Sequence, residues 1–248
     1  MLRALLARLR QGRRTLAFPP PMPALPERFR GRPVVLPLAV DPSAPAASPP
    51  GDEPGRDRVV DLGAALFSPE EERAFPGGSL RFGPEYAMAA RAREDLLTST
   101  GEIRLAKALE ERSRRLFGRS LRLRSVSAGS CNGCEAELVA LGNVVFDLAR
   151  FGVQFVASPR HADGLVITGA VSRSMREALE KTWRAMPEPR LVIAVGACAI
   201  GGGPFRGSPE VMNGVPEEIP VDLYVPGCPP HPFTLIDGLL RLLGRIST

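Results

Sequence analysis

The chain has 248 residues, 44% of them hydrophobic and 6% aromatic, and a formal net charge of +5. That is enough apolar material for one large or two modest cored domains, and no run approaches the roughly 20 apolar residues of a membrane-spanning helix. The positive balance favours anionic lipid headgroups or an acidic partner, whereas no basic stretch is interleaved with aromatics, which speaks against nucleic acid.

Residues 1–14 predict a helix, because Leu2, Leu5, Leu6 and Leu9 repeat at the spacing of one apolar face. Arg3, Arg8, Arg10, Arg13 and Arg14 supply charge elsewhere on it. A short basic amphipathic helix can lie on a membrane surface; packing on a neighbouring subunit is the equal alternative. Arg13-Arg14 with Leu16 and Phe18 resembles a twin-arginine signal, but Pro19, Pro20, Pro21 and Pro23 stand where its apolar run belongs. The N-terminus is therefore read as uncleaved and the protein as cytoplasmic.

Phe18 to Pro54 is proline-rich, and Asp41 to Pro54 reads as an extended linker or loop. Arg58 to Phe67 reads as a strand or short helix, and Glu85 to Leu97 and Glu102 to Phe117 as helices. The first 117 residues thus form a proline-rich, irregular region with helices. Residues 118–248 form a second unit.

Near residue 121 strand-like runs begin to alternate with helical ones, the mark of a parallel α/β sheet with flanking helices. The predicted strands are Leu121–Ser127, Val153–Ala157, Gly164–Thr168, Leu191–Val195 and Asp222–Val225. The predicted helices are Glu135–Phe151, Ser174–Met186 and Pro232–Arg245. Ligands of such sheets gather beyond the carboxyl ends of the strands.

Cys131, Cys134, Cys198 and Cys228 are all the cysteines of the chain. Cys131 and Cys134 follow the first predicted strand, Cys198 the fourth and Cys228 the fifth, the last two in glycine- or proline-rich turns. All four thiols therefore fall on one sheet edge. In a reducing compartment four cysteines suit metal or redox work better than disulfides. A thioredoxin-like Cys-x-x-Cys pair would leave Cys198 and Cys228 unused. Structural zinc usually takes two close ligand pairs, and here 63 residues separate Cys134 from Cys198 and 29 separate Cys198 from Cys228. An iron–sulfur cluster tolerates such dispersed ligands. Inert buried cysteines fit poorly, because each has a glycine close by: Gly129, Gly133, Gly196, Gly201 or Gly227. A cluster is favoured, with zinc and thiol redox chemistry still open.

Ser130-Cys131-Asn132-Gly133-Cys134-Glu135-Ala136-Glu137 resembles the first cluster motif in the small subunit of membrane-bound, energy-converting group 4 [NiFe] hydrogenases, especially the formate hydrogenlyase type. That family is similar in turn to the B subunit of respiratory complex I, where the first two cysteines are typically adjacent; the spacing here favours the hydrogenase side. The resemblance continues through Ile167-Thr168-Gly169-Ala170-Val171, Ser174-Met175-Arg176-Glu177-Ala178, Gly196-Ala197-Cys198-Ala199-Ile200-Gly201-Gly202-Gly203-Pro204-Phe205 and Val225-Pro226-Gly227-Cys228-Pro229-Pro230-His231-Pro232. It spans about residues 121–245. Arg is usual where His231 stands, a departure that leaves the cysteines intact.

The resemblance implies a flavodoxin-like fold and one [4Fe-4S] cluster on Cys131, Cys134, Cys198 and Cys228. It implies an electron-transfer subunit, not catalytic alone, on the cytoplasmic side of the inner membrane. The implied partners are a large [NiFe]-hydrogenase-like or complex I D-like subunit, a ferredoxin-type subunit and membrane antiporter-like subunits. A nickel-free complex I-like quinone or acceptor oxidoreductase shares this subunit and is the first alternative; a non-redox zinc-binding assembly module is the second. In the first half, Phe29-Arg30-Gly31-Arg32-Pro33, Glu85-Tyr86-Ala87-Met88-Ala89 and Glu94-Asp95-Leu96 look like fragments of the ferredoxin-like polypeptide of the same complexes. Its two cysteine-rich motifs are missing, as in a fused docking element that has lost its clusters.

Glu135 and Glu137 sit in the first turn of a predicted helix, where the dipole favours acids; in the family such residues face the large subunit. His231 is placed to donate to a cluster sulfur or to sit at a solvated interface, and His161 reads as a surface residue. Arg173 and Arg176 face a partner or start a solvated helix.

Overall fold

The computed structural model describes residues 2–12, 14–19, 25–36, 59–75, 79–117 and 120–246. Its centre is a parallel sheet of β5 (Leu121–Ser127), β6 (Val153–Phe155), β7 (Gly164–Thr168), β8 (Leu191–Val195) and β9 (Leu223–Val225) in the order β6-β5-β7-β8-β9. This is the flavodoxin-like order, reversing direction between its first and third strands, so a crevice opens beyond the carboxyl ends of β5 and β7. Every residue of β7 and β8 is buried, as expected of Val/Ile/Leu-rich central strands covered on both faces.

Helices α4 (Gly133–Ala140) and α7 (Pro232–Leu242) cover one face, where Leu138, Leu235 and Leu239 pack with Leu121, Leu123, Val166, Ile193 and Val195. Helix α5 (Arg173–Arg184) covers the other, its Leu179 meeting Val126, Leu165, Ile167 and Val192. The two strand parities thus feed two cores. A six-residue helix, α6 (Gly196–Gly201), follows β8 without a loop.

The region before β5 wraps around the β9 edge. Ala90 exchanges backbone hydrogen bonds with Tyr224, N–H to O=C distances of 3.0 and 2.8 Å, antiparallel to β9. On the α5 face, Leu62, Met88 and Leu96 pack with Ala194, Ala199 and Ile200. On the α4/α7 face, Ala89, Ala106, Leu109 and Phe117 join the core of α7. The local elements here are short: β1 (Pro33–Val35) pairs with β3 (Leu80–Phe82), and β2 (Val60–Asp61) with β4 (Leu97–Thr98), both antiparallel. Helix α2 (Pro69–Ala74) opens with a capping box between Ser68 and Glu71. Helix α1 covers Leu2–Gln11 and α3 Glu111–Phe117.

Several predicted elements change. Glu85 to Leu97 is extended up to the Ala90 bridge and forms a single 3-10 turn at Glu94–Leu96, because its backbone groups are drawn to Tyr224. Of the helix predicted over Glu102 to Phe117 only α3 forms. Ahead of it, Ala106 donates to the Ala89 carbonyl at 2.7 Å and Leu109 to the Leu242 carbonyl at 2.9 Å. These tertiary bonds compete with the helical ladder. The helix predicted over Glu135–Phe151 breaks after Ala140 and resumes as a 3-10 turn at Leu148–Phe151. Arg58–Phe67 yields the two-residue β2 and a turn over its described residues. Cys198 lies on α6 rather than in a turn. The Asp41–Pro54 linker falls outside the described residues.

Candidate metal centre

The three cysteine-bearing segments leave the sheet at its carboxyl edge. After β5 the chain turns through Ala128–Asn132, where Ala128 donates to the Thr168 carbonyl at 2.8 Å. Asn132, in the left-handed region at φ +69°, turns the chain into α4 between Cys131 and Cys134. Asn tolerates this conformation better than most residues. Cys131 is exposed, Cys134 and Cys198 are buried, and Cys228 is intermediate; all are free thiols. Ala197 donates to the Gly227 carbonyl at 2.9 Å, tying α6 to the Cys228 turn.

Glycine is required between these segments. A Cβ on Gly196, whose φ is +86°, would lie 2.5 Å from the Cys134 sulfur and 3.4 Å from the Gly227 carbonyl oxygen. A Cβ on Gly203 would lie 2.8 Å from the Cys198 sulfur. The backbone therefore forms a cradle against two of the sulfurs. Among the described residues no three His, Cys, Asp or Glu side chains stand close enough to hold a single metal ion.

Burial pushes the Cys134 thiol far up, with Glu135 and the Cys198, Cys228 and Cys131 thiols adding to it. Burial, then Cys228, Cys131 and Glu135, push Cys198 up to about 11. Burial raises Cys228 as well, ahead of Cys131 and Glu71. Each of these thiols senses Cys131, so the four share one electrostatic neighbourhood. Neutral buried thiols bind a soft cation only by releasing protons.

Glu135 is held at this edge by hydroxyl donors. Ser130 Oγ and Thr168 Oγ1 both donate to its Oε1, at 2.7 and 2.6 Å. Burial raises its pKa, but hydrogen bonds from Ser130, Thr168 and Ser127 outweigh that and leave it lowered. Its Oε2 is buried without a hydrogen-bond partner. Glu137, by contrast, is pushed up by burial. It lines a cavity of about 260 Å³ with Arg28, Arg30, Cys228, His231 and Thr234.

His231 caps α7, its Nδ1 accepting from the Phe233 N–H at 3.1 Å. Its ring meets Phe29 edge-on at 5.4 Å and Phe146 at 6.0 Å, and burial lowers its pKa. His161 is exposed. Arg173 donates to the Pro209 carbonyl, and Arg176 pairs with Glu180 at 3.0 Å and Glu218 at 3.2 Å. Both arginines are committed within the chain.

Sequence reasoning missed the Ser130–Thr168 clasp on Glu135 and the arm Arg28-Phe29-Arg30 that lies against the Cys228 turn. These residues lie in or beside the family-like motifs, but their meeting depends on long-range contacts that spacing does not encode. The arm is fastened by a close approach: a Cβ on Gly31 would lie 2.0 Å from the Glu85 carbonyl oxygen. Arg32 donates to that same carbonyl at 2.7 Å.

The stretch from Cys131 to Leu242, which contains all four cysteines, matches the family described as NADH ubiquinone oxidoreductase, 20 kD subunit. The probable membrane-bound hydrogenase subunit mbhJ of Pyrococcus furiosus is 42% identical over 144 residues, covering 57% of this chain and 86% of that protein. The chain belongs to this family. Formate hydrogenlyase subunit 7 of Escherichia coli is 44% identical over 129 residues, 52% of this chain and 51% of its own length. The NADH-quinone oxidoreductase B subunit of Heliobacterium modesticaldum is 48% identical over 115 residues, 46% of this chain and 66% of its own length. The chain thus spans about half of the E. coli relative. The 20 kD subunit family carries both hydrogenase and NADH-quinone oxidoreductase subunits, and the flavodoxin-like order of the sheet accords with the resemblance drawn from the motifs. Among the described residues no helix is long and apolar enough to cross a membrane.

Proposed function

We propose that this chain is the electron-relay subunit of a membrane-associated oxidoreductase complex, holding one [4Fe-4S] cluster on Cys131, Cys134, Cys198 and Cys228. The observation that carries this reading is the convergence of the four free thiols on one sheet edge, with Gly196 and Gly203 shaped to a bulky group against Cys134 and Cys198. The donor set is all sulfur, which selects soft centres, and its ligands are dispersed along the chain in a way an iron–sulfur cluster accepts. When bound, such a cluster supplies one-electron transfer to or from a large catalytic subunit of the [NiFe]-hydrogenase or complex I D type.

The chain's own residues set the conditions of that transfer. Cys131 and Cys134 stand at the start of α4, where the peptide dipole favours negative charge on sulfur. The glycine cradle brings backbone close to sulfur, and the packed edge of α4, α6 and α7 keeps water off Cys134 and Cys198. Other neighbours of the complex would be a ferredoxin-type subunit and antiporter-like membrane subunits, with this chain peripheral on the cytoplasmic side. Residues 1–117 are the docking region, free of clusters and attached to the cluster-binding unit 118–248.

Anaerobic purification with iron and sulfide analysis tests this. About four of each per chain and an electron paramagnetic resonance signal on reduction are expected for one such cluster. Stoichiometric zinc with a silent spectrum refutes the cluster and supports the assembly-module reading. Iron near eight or twelve per chain refutes a cluster-free first half. A second reading, a nickel-free complex I-like oxidoreductase, is favoured by the 48% identity to a subunit of that kind. The large partner subunit separates the two readings: two nickel-binding Cys-x-x-Cys pairs in its sequence mean hydrogenase.

A further inference from the structure

The charge of this chain is concentrated at one end. The first 26 residues contain five arginines and no acidic residue, while the remainder is balanced at 27 basic and 27 acidic side chains. The entire +5 therefore belongs to α1 and the few residues after it. No residue of α1 is buried: Leu2, Leu5, Leu6 and Leu9 are 71, 58, 45 and 72% exposed. At 100° per residue these four leucines fall within an arc of about 100°. Arg8 stands on one flank of that stripe, and Arg3 and Arg10 on the other. Ala4, Ala7 and Gln11 occupy the far side.

The chain that follows the helix is tied to the domain. Leu16 donates to the Val145 carbonyl at 2.9 Å, and Phe18 stacks on Phe233 at 5.8 Å with the rings 18° apart. These contacts fasten the chain after α1, at Leu16 to the segment that follows α4 and at Phe18 to α7. Leu5 and Leu9 line an open groove with Val144, which is 62% exposed, and with Arg14, Asp147 and Arg150. The leucine stripe thus runs on into the domain, with further arginines at its margin. Among the described residues Asp147 is the one acidic side chain lining that groove.

We propose that α1, with Val144 beside it, is an interfacial anchor for an anionic lipid bilayer. The leucines would enter the acyl boundary while the flanking arginines extend to the phosphates, the arrangement in which a long cationic stem is buried and its head stays among polar groups. A protein groove could accept the leucines. It would need a matching set of acids on both flanks and would leave the charge of the whole chain concentrated on one short contact. An anionic leaflet offers that charge everywhere. Such an anchor is independent of the metal centre and of the identity of the complex.

The test is flotation of the full chain with vesicles of phosphatidylcholine alone and of phosphatidylcholine with phosphatidylglycerol. Binding is expected only to the anionic vesicles, reversible by high salt. Neutralising Arg3, Arg8 and Arg10 to Gln should weaken it roughly fivefold per arginine, and Leu5→Glu with Leu9→Glu should abolish it. Because α1 is exposed, these variants should keep the wild-type melting temperature. Leu9→Trp gives a second readout, a blue shift of its fluorescence on adding anionic vesicles. The proposal is overturned by a chain that floats with neither vesicle or equally with both. It is overturned equally by leucine variants that bind as wild type, or by membrane association that appears only when a partner subunit is present.

Discussion

Residues 121–246 and residues 59–117 reach order by opposite means. In the first, hydrogen bonds run in continuous parallel registers, five residues deep between β5 and β7 and again between β7 and β8. In the second, strands are two or three residues long, and isolated bonds, a pair to Tyr224 and one to Leu242, fix long extended stretches. Yet both regions hold fully buried side chains: Leu62, Met88 and Leu96 in one, Leu165, Ile167 and Ile193 in the other. A segment need not own a ladder to be ordered; it can complete a neighbour's core. Here that neighbour includes α6, so the packing of Leu62 and Leu96 on Ile200 reaches within two residues of Cys198.

The largest expected effect lies at the centre itself. Cys198→Ser should lose essentially all bound iron, because a hydroxyl is a poor ligand for a soft centre; unchanged iron content would remove Cys198 from the ligand set. Next, Leu62→Ala should cost about 2–5 kcal/mol, the usual range for a fully buried leucine. It should do so within one cooperative unfolding transition measured by urea titration. Two separate transitions, with only one shifted, would make the regions independent and break the comparison.

Gly31→Ala should cost about 1–3 kcal/mol if the backbone around Glu85 has to shift. It should also loosen the arm over Cys228, read as faster extraction of iron by a chelator. An unchanged extraction rate would mean that the arm does not shield the centre.

The smallest effect concerns pH. In the metal-free chain the folded Cys198 thiol titrates near 11, against an ordinary 9, and Cys134 and Cys228 are raised too. Between those values the unfolded chain has lost protons that the folded chain keeps, so rising pH favours unfolding. Melting temperature should hold below pH 9 and fall as pH climbs toward 11. Cys198→Ala should flatten that fall.

The sheet was legible because its strands are bounded apolar runs. Leu121–Ser127, Gly164–Thr168 and Leu191–Val195 form over the predicted residues, and the flavodoxin-like order follows the resemblance of the cysteine motifs. The placement of the thiols on its carboxyl edge was legible for the same reason. What escaped was tertiary. Glu85–Leu97 is rich in alanine and spells a helix, but the open edge of β9 holds its backbone extended. Helix α6 is six residues long, too short to display a period. The hydroxyl clasp on Glu135 joins Ser130 to Thr168, 38 positions away, and no local pattern announces it.

The pairing of Ala90 with Tyr224 has one more consequence. An open parallel sheet has two edges, each a row of unmatched amide groups and a template for pairing with another chain. At the β6 side the edge is only three residues long. At the β9 side the segment around Ala90 pairs with Tyr224, which leaves less of that edge open to pairing with another chain. A shortened protein starting at residue 118 would keep every cysteine and expose that edge, and precipitation would then report lost strand protection rather than a lost metal centre.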